Sequence, residues 1–296
     1  MNQVQLKFQY TEIITMNKLH PPISLVKLKS TTDGFLRGLT GVDYCRFREW
    51  PLAEYTIDLQ DGMEVLDVGS GDASFFPLLL AFQRNIKLTV LDYSDPMDIL
   101  KVRFNKIIDE KLTSTQPVYL NADARATPFL NNTFDRISCV STIEHIPENG
   151  DMETVREFER ILKPGGRVVI SVPMSAAARD EYKMNHVYER TIVDKPVFFQ
   201  RIYDFHSLEQ RLIESSGLRC VTKKFLIEPR RQYFWEQDCQ RENRSGMTVL
   251  NAAPIQSRLS RALMVWRSMK YIREVGEGEA IKVPSRLIVG VVVLEK

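Results

Sequence analysis

Two glycines, Gly69 and Gly71, follow an apolar run in "EVLDVGSGDASF", and the carboxylate of Asp67 stands two residues before the first of them. Glycines at such a turn let a ligand approach the main chain closely, and the N–H groups opening the next helix favour polar or anionic groups. A G-x-G-x-x-G dinucleotide turn would carry its third glycine where this chain has Ser74. Asp67 would repel a pyrophosphate and attract an ammonium group. A second carboxylate, Asp92, ends "KLTVLD" just before Tyr93 and Met97, and Asp123 with Ala124 follows "PVYLN". A carboxylate has two oxygens and can take two neighbouring hydroxyl donors. Beyond Ser141, "STIEHIP" sets Glu144 beside His145, two side chains able to move protons. Imidazole has the intrinsic pKa of a base that works near neutrality.

These groups need elements that bring strand ends together. From Glu64 to Val172 the chain alternates apolar runs, turns and helical stretches, which argues for parallel strands joined by crossover helices. Five strands are expected: Glu64 to Val68, Lys87 to Asp92, Pro117 to Asn121, Phe134 to Val140 and Arg167 to Val172. Their Val, Ile and Leu content suits a sheet buried on both faces. "DMETVREFERILKPGG" spaces Met152, Val155, Phe158, Ile161 and Leu162 as a helix that stops at Pro164. "DFHSLEQRLIESSGL" repeats the design, with Asp204 as N-cap and Gly217 as the stop, leading into a strand over "LRCVTKKFLIE". The β-branched ending "SRLIVGVVVLEK" reads as a strand added to the sheet by a hairpin-like return. The expected fold is therefore α/β, a Rossmann-like doubly wound sheet of seven strands with helices on both faces, mostly parallel with an antiparallel C-terminal strand.

An irregular arm over 1–42, broken at Pro21 and Pro22, precedes a main domain over 43–296. That domain opens on a Pro-kinked helix, "VDYCRFREWPLAEYTI", and carries two insertions. One, at about 174–203, reads as a lid; the other, at about 229–284, is basic and helical. In the second, Leu259, Leu263, Trp266 and Met269 share a helix face apart from Arg258, Arg261, Lys270 and Arg273. That helix reads as packed on the core, with peripheral membrane or polyanion contact as its alternative.

The 296 residues are 44% hydrophobic and 26% charged with a formal net charge of +2, which gives no broad electrostatic footprint for nucleic acid. Cys45, Cys139, Cys220 and Cys239 show no metal-binding spacing, so no metal is expected and the thiols read as reduced, in a cytoplasm. No stretch reaches membrane-spanning length and the N-terminus has no signal-peptide core, so no integral membrane contact is expected. The oligomeric state cannot be read from the sequence.

Taken together, "VLDVGSGDAS", the acid of "VLDYSDPM", "NADARATPFLNNTFDRISCVSTIEHIP" and "ILKPGGRVVISVP" resemble a class I S-adenosylmethionine-dependent methyltransferase of the type 11-like kind. The resemblance covers roughly 50–173, and four motifs in order make it specific. It implies S-adenosylmethionine as cofactor and S-adenosylhomocysteine as product. Asp67 would then lie near the methionine amino group, with Gly69, Ser70 and Gly71 along the amino-acid moiety. Asp92 would take the ribose hydroxyls, Tyr93 and Met97 would line the adenine, and Asp123 with the Ala124 main chain would accept its amino group. Ser141 would lie under the transferable methyl, with His145 and Glu144 as the nearest catalytic candidates. Ala73 stands where the family commonly has a third glycine.

The acceptor would be a small molecule bound by "YCRFREWP" (Tyr44, Arg46, Arg48, Glu49, Trp50) and "HVYERTIVDKPVFFQRIYD" (His186, Tyr188, Gln200, Arg201, Tyr203). Aromatics interleaved with Arg, Gln and His suit a polar, ring-bearing or anionic acceptor such as a sugar or nucleotide-linked sugar. "FFQRIYD" resembles a segment of methyltransferases of surface-glycan and secondary-metabolite pathways, and O-methylation is favoured over N. A catalytically silent cofactor-binding regulator is the alternative, and Ser74 with Asp67 disfavours an NAD-dependent oxidoreductase. "STIEHIP" lacks the Asn/Asp-Pro-Pro-aromatic motif of N6-adenine and glutamine methyltransferases, and no cysteine follows a proline as cytosine-C5 methylation needs.

Overall fold

The apolar runs pair as the alternation requires. In the computed structural model, which describes residues 23–34, 45–71, 74–93, 97–186, 191–228, 249–250 and 271–296, five strands form the parallel part of one sheet. They are β1 (Glu64–Val68), β2 (Lys87–Asp92), β3 (Val118–Asn121), β4 (Phe134–Val140) and β5 (Leu162–Pro173). β8 (Arg219–Ile227), β10 (Arg273–Gly276) and β11 (Leu287–Glu295) complete it, in the order β10-β8-β11-β5-β4-β1-β2-β3. β11 runs antiparallel to both β5 and β8.

Eight strands stand where seven were expected. The addition is β10, antiparallel on the edge beside β8. "REVG" is too short and polar to read as a strand alone, and pairing with β8 makes it one.

Alternate strand residues face two separate cores. Val65, Val169, Val291 and Val293 pack with Leu52 of helix α2 (Arg46–Thr56), Leu79 of α3 (Phe76–Gln83) and Phe104 of α4 (Asp98–Asp109). Leu66, Val168, Ile170 and Val292 pack with Val155, Phe158 and Ile161 of α5 (Gly150–Ile161) on the opposite face. A sheet covered on both sides needs apolar residues at every position, hence the unbroken β-branched runs.

The arm contains a helix, α1 (Ile23–Asp33), beginning directly after Pro22. Leu25 and Leu28 are buried, Arg103 pairs with Asp33, and Lys106 Nζ donates to Thr32 O at 2.5 Å. "KSTTD" interrupts the apolar spacing, so the helix depends on docking to α4. α2 carries Pro51 inside it, as the Pro-kinked reading requires.

After β5 a second sheet stands apart, with order β7-β6-β9. It is built from the antiparallel pair β6 (Arg179–His186) and β7 (Thr191–Ile202) with the short β9 (Val249–Leu250). These two long strands occupy the stretch expected as a lid. The helix expected after Asp204 is α6 (Phe205–Leu208), continued by a π-turn over Glu209–Ile213 and a 3-10 turn over Glu214–Ser216. Asp204 and Ser207 close a capping box, and Gly217 ends the run at φ 72°. Arg258, Arg261, Lys270, Cys239, Tyr44, Tyr188 and the side chain of His186 lie outside the described residues. Among the described residues no helix is long and apolar enough to cross a membrane.

Candidate active site

The parallel strands end on one edge of the sheet, where ligands bind in open α/β folds. Asp67 lies at the end of β1, Asp92 at the end of β2, Asp123 just after β3, and Ser141 just after β4.

Hydrogen bonds between loops hold this edge together. Gly69 N–H donates to Leu91 O at 2.7 Å, Gly71 N–H to Asp92 Oδ2 at 3.0 Å, and Thr142 Oγ1 to Gly69 O at 2.9 Å. Gly69 has φ 72°, and a Cβ there would stand 1.9 Å from Thr142 Cγ2. Only glycine lets the β4 loop close against this turn.

Asp67 is fully buried. Its Oδ1 accepts from Ser138 Oγ at 2.7 Å, and its Oδ2 accepts from Ser70 Oγ. Burial pushes its pKa up to about 6 and the nearby Asp92 adds to the rise, while the two hydroxyls oppose it. Two serine hydroxyls do not neutralise a buried carboxylate, and a ligand cation would. The ammonium-bearing amino-acid end of S-adenosylmethionine is such a cation, so the residues fit the cofactor that the motifs imply.

The adenine side is more mixed. Asp123 is held by Arg125, whose Nη2 lies 2.7 Å from Oδ2, and that contact keeps its carboxyl below the ordinary range. Tyr93 is 74% exposed, whereas Met97, at φ 57°, is 1% exposed and packs into the first core with Leu100 and Phe104. The structure thus brings together Asp67, Gly69, Ser70, Gly71 and Asp92, and gives Met97 a packing role.

At the end of β4 the chain turns through Ser141, at φ 48°. Its Oγ donates to Glu49 Oε1 at 2.6 Å, Ser171 Oγ donates to the same oxygen at 2.7 Å, and Arg46 Nη1 donates to Glu49 Oε2 at 2.5 Å. Glu144 and His145 share the following 3-10 turn (Ile143–His145). Glu144 is 2% exposed, and its Oε2 has no hydrogen-bond partner among the described residues. Burial pushes Glu144 up to about 8; Arg46 and its own main-chain N–H oppose the rise, and Glu49 adds to it. A buried polar atom left unpaired costs about 1–3 kcal/mol.

His145 Nδ1 lies 2.6 Å from Phe199 O of β7, so Nδ1 carries the hydrogen and Nε2 keeps its lone pair. Burial pulls its pKa down to about 4 and Arg46 and Lys183 add to the fall, against the Phe199 carbonyl. At neutral pH His145 is an uncharged imidazole and a weak base.

Of the acceptor candidates, Gln200 donates to Glu181 Oε2 at 2.6 Å. Arg201 Nη1 and Tyr203 OH both reach Asp151 Oδ2 at 2.8 Å, and Arg211 completes the pairing of that buried carboxylate. These residues tie the second sheet to α5. Trp50 is buried in the first core.

Residues 66–170 match the model of a methyltransferase domain. That stretch contains the motifs whose resemblance to class I S-adenosylmethionine-dependent methyltransferases was noted from the sequence. Over 138 residues the chain is 34% identical to the ubiquinone/menaquinone biosynthesis C-methyltransferase UbiE of Idiomarina loihiensis, covering 43% of this chain and 52% of the relative. It is 27% identical over 189 residues to a demethylmenaquinone methyltransferase of Bacillus cereus, covering 62% of this chain and 77% of that one. The chain thus spans about half the length of the first of these relatives. The [4+2]-cyclase SpnF superposes with a TM-score of 0.51 and 17% identity, over 83% of this chain and 79% of that one, which is a likeness of fold. The matched residues end within β5, so the second sheet and the strands after it lie outside the match.

Sequence reading missed Ser138, Thr142 and Ser171 as parts of this site. Their signal was a hydroxyl at or just past the end of an otherwise apolar strand.

Proposed function

We propose that this chain methylates a small molecule with S-adenosylmethionine, and that the acceptor atom is a carbon of a hydroxylated ring, as in a quinol. The observation that carries the reading is Asp67, a buried carboxylate beside the glycine turn that meets two serine hydroxyls and no cationic partner among the described residues. Bound there, S-adenosylmethionine supplies an electrophilic methyl group on a sulfonium.

The chain's own residues bind and orient. Asp67 neutralises the ammonium end, the Gly69–Gly71 main chain lies along the amino-acid portion, and Asp92 is the hydroxyl acceptor at the end of β2. The Ser141 turn, braced by Glu49, fixes the floor where the methyl end would lie, and alignment of the two reactants there lowers the barrier.

Carbon is preferred to the oxygen acceptor that the sequence favoured for two reasons. The relatives are named as a C-methyltransferase and a demethylmenaquinone methyltransferase, and Gln200, Arg201 and Tyr203, counted towards a sugar site, are engaged by Glu181 and Asp151. Fold alone does not carry transfer chemistry, since a protein named a cyclase shares it.

The test incubates the full chain with methyl-labelled S-adenosylmethionine and 1,4-dihydroxynaphthalene under reducing, anaerobic conditions, beside a sugar panel. The expected product carries the label on a ring carbon. Labelled methyl ether, or a labelled sugar, would overturn the carbon reading, and bound cofactor with no transfer to any acceptor would favour a silent cofactor-binding regulator.

A further inference from the structure

Two carboxylates are buried at the end of β4, and they differ in what they leave for a ligand. Glu49 has both oxygens engaged, one by the hydroxyls of Ser141 and Ser171 and the other by Arg46. Glu144, on the following turn, has no hydrogen-bond partner at Oε2 among the described residues, while its Oε1 lies 3.8 Å from His145 Nε2. The first acid has both oxygens used by the fold; the second has one oxygen that the described residues do not use.

We infer, building on the methyl-transfer reading above, that Glu144 Oε2 is the catalytic proton acceptor for the ring hydroxyl of the acceptor, and that His145 is its positioning residue. The hydroxyl proton passes to Oε2, and the oxyanion left behind raises electron density at the neighbouring ring carbon. The new carbon–carbon bond forms there as the carbon–sulfur bond breaks, and the sulfur keeps the bonding pair as a neutral thioether. The hydrogen on that ring carbon is then lost while the ring oxygen regains one by exchange with water. Glu144 passes one proton to solvent, which balances the loss of the sulfonium charge.

The surroundings support this division. The charged and titratable groups facing Glu144 are Arg46 and Glu49 from α2, Cys139 from β4, Tyr203 beyond β7, and His145 from its own turn. A carboxyl that holds its proton until about pH 8 is matched to a phenolic hydroxyl, so the two can exchange a proton near neutrality. His145, fixed by the Phe199 carbonyl, presents only its Nε2 lone pair and stays uncharged beside the acid. The second sheet therefore sets the imidazole that faces Glu144.

Three measurements on the full chain test this. Calorimetry with S-adenosylhomocysteine comes first, and wild type and Glu144→Gln are expected to bind it within twofold of each other. Failure of the wild type to bind overturns the cofactor reading itself. Next, 1-naphthol is titrated into the S-adenosylhomocysteine complex at pH 9, where Glu144→Gln is expected to bind at least tenfold more weakly than wild type. Equal affinity overturns the role of Glu144 and leaves the cofactor reading standing. Finally, transfer to 1,4-dihydroxynaphthalene is followed from pH 6 to 9. Wild-type kcat is expected to rise with pH, Glu144→Asp to keep a rise at lower kcat, and Glu144→Gln to lose the rise and at least 100-fold in kcat. A Glu144→Gln profile that follows wild type overturns the proposal.

Discussion

Asp67 is a carboxylate enclosed by two hydroxyls, with Asp92 as a like charge close by and a pKa of about 6. Below that pH it is protonated and offers no counter-charge. Cofactor affinity should therefore strengthen by up to about tenfold per pH unit between pH 5 and 6 and level off above pH 7. Asp67→Asn should abolish the slope and weaken S-adenosylmethionine at pH 7.5 by about tenfold or more, as read by calorimetry. For His145, a neutral imidazole bound to the Phe199 carbonyl, His145→Ala should lower turnover about tenfold and leave S-adenosylhomocysteine affinity nearly intact. Unchanged turnover would remove the residue from the mechanism. At this scale the sequence was informative where a residue ends a strand, because strand ends converge in any parallel sheet. That Asp67, Asp92 and Ser141 lie at strand ends was legible on that ground, while the roles proposed for them rest on the family resemblance. The bracing of Ser141 and Ser171 by Glu49 was not, since those contacts join residues 92 and 122 positions apart.

Among the elements, the glycine turn and the second sheet each rest on a contact that one substitution removes. Gly69→Ala would place a methyl against Thr142 in a left-handed conformation, costing about 1–2 kcal/mol from the backbone alone. The variant should melt lower and lose cofactor binding together. Asp151, buried among Arg201, Arg211 and Tyr203, joins α5 to the strand carrying Phe199. Removing one partner of a buried ion pair costs about 3–5 kcal/mol, so Asp151→Ala should destabilise the chain strongly in thermal denaturation. A melting point within a degree of wild type would contradict that latch. The apolar runs made β1 to β5 legible, with β5 starting earlier than expected, at Leu162. β10 and α1 were not, because "REVG" and "KSTTD" carry no period and take their structure from the neighbours they dock on.

At the scale of the whole molecule, burial holds several carboxyls among the described residues above their ordinary range. Burial raises Glu54 to about 7, Asp67 to about 6 and Glu144 to about 8. The folded chain keeps protons that the unfolded chain releases near its ordinary carboxyl pKa, so these groups lower stability as pH climbs from about 4.5 to 8. The slope is about 1.4 kcal/mol per pH unit for each group while it titrates. Asp151 and Glu157, held below the ordinary range against their burial by arginine and hydroxyl partners, act oppositely and lose their contribution in acid. Glu54→Gln, distant from the cofactor edge in sequence, should raise the melting temperature at pH 8 and change it little at pH 5. A greater gain at pH 5 would reverse the assigned sign. The central claim is that this fold buries Asp67 to receive a cationic cofactor, and calorimetric titration of S-adenosylmethionine into wild type and Asp67→Asn, at pH 5.5 and 7.5, tests it most directly. The account predicts tighter binding at pH 7.5 for wild type and no pH difference for Asp67→Asn; binding that is absent, or equally strong in both proteins at both pH values, would contradict it.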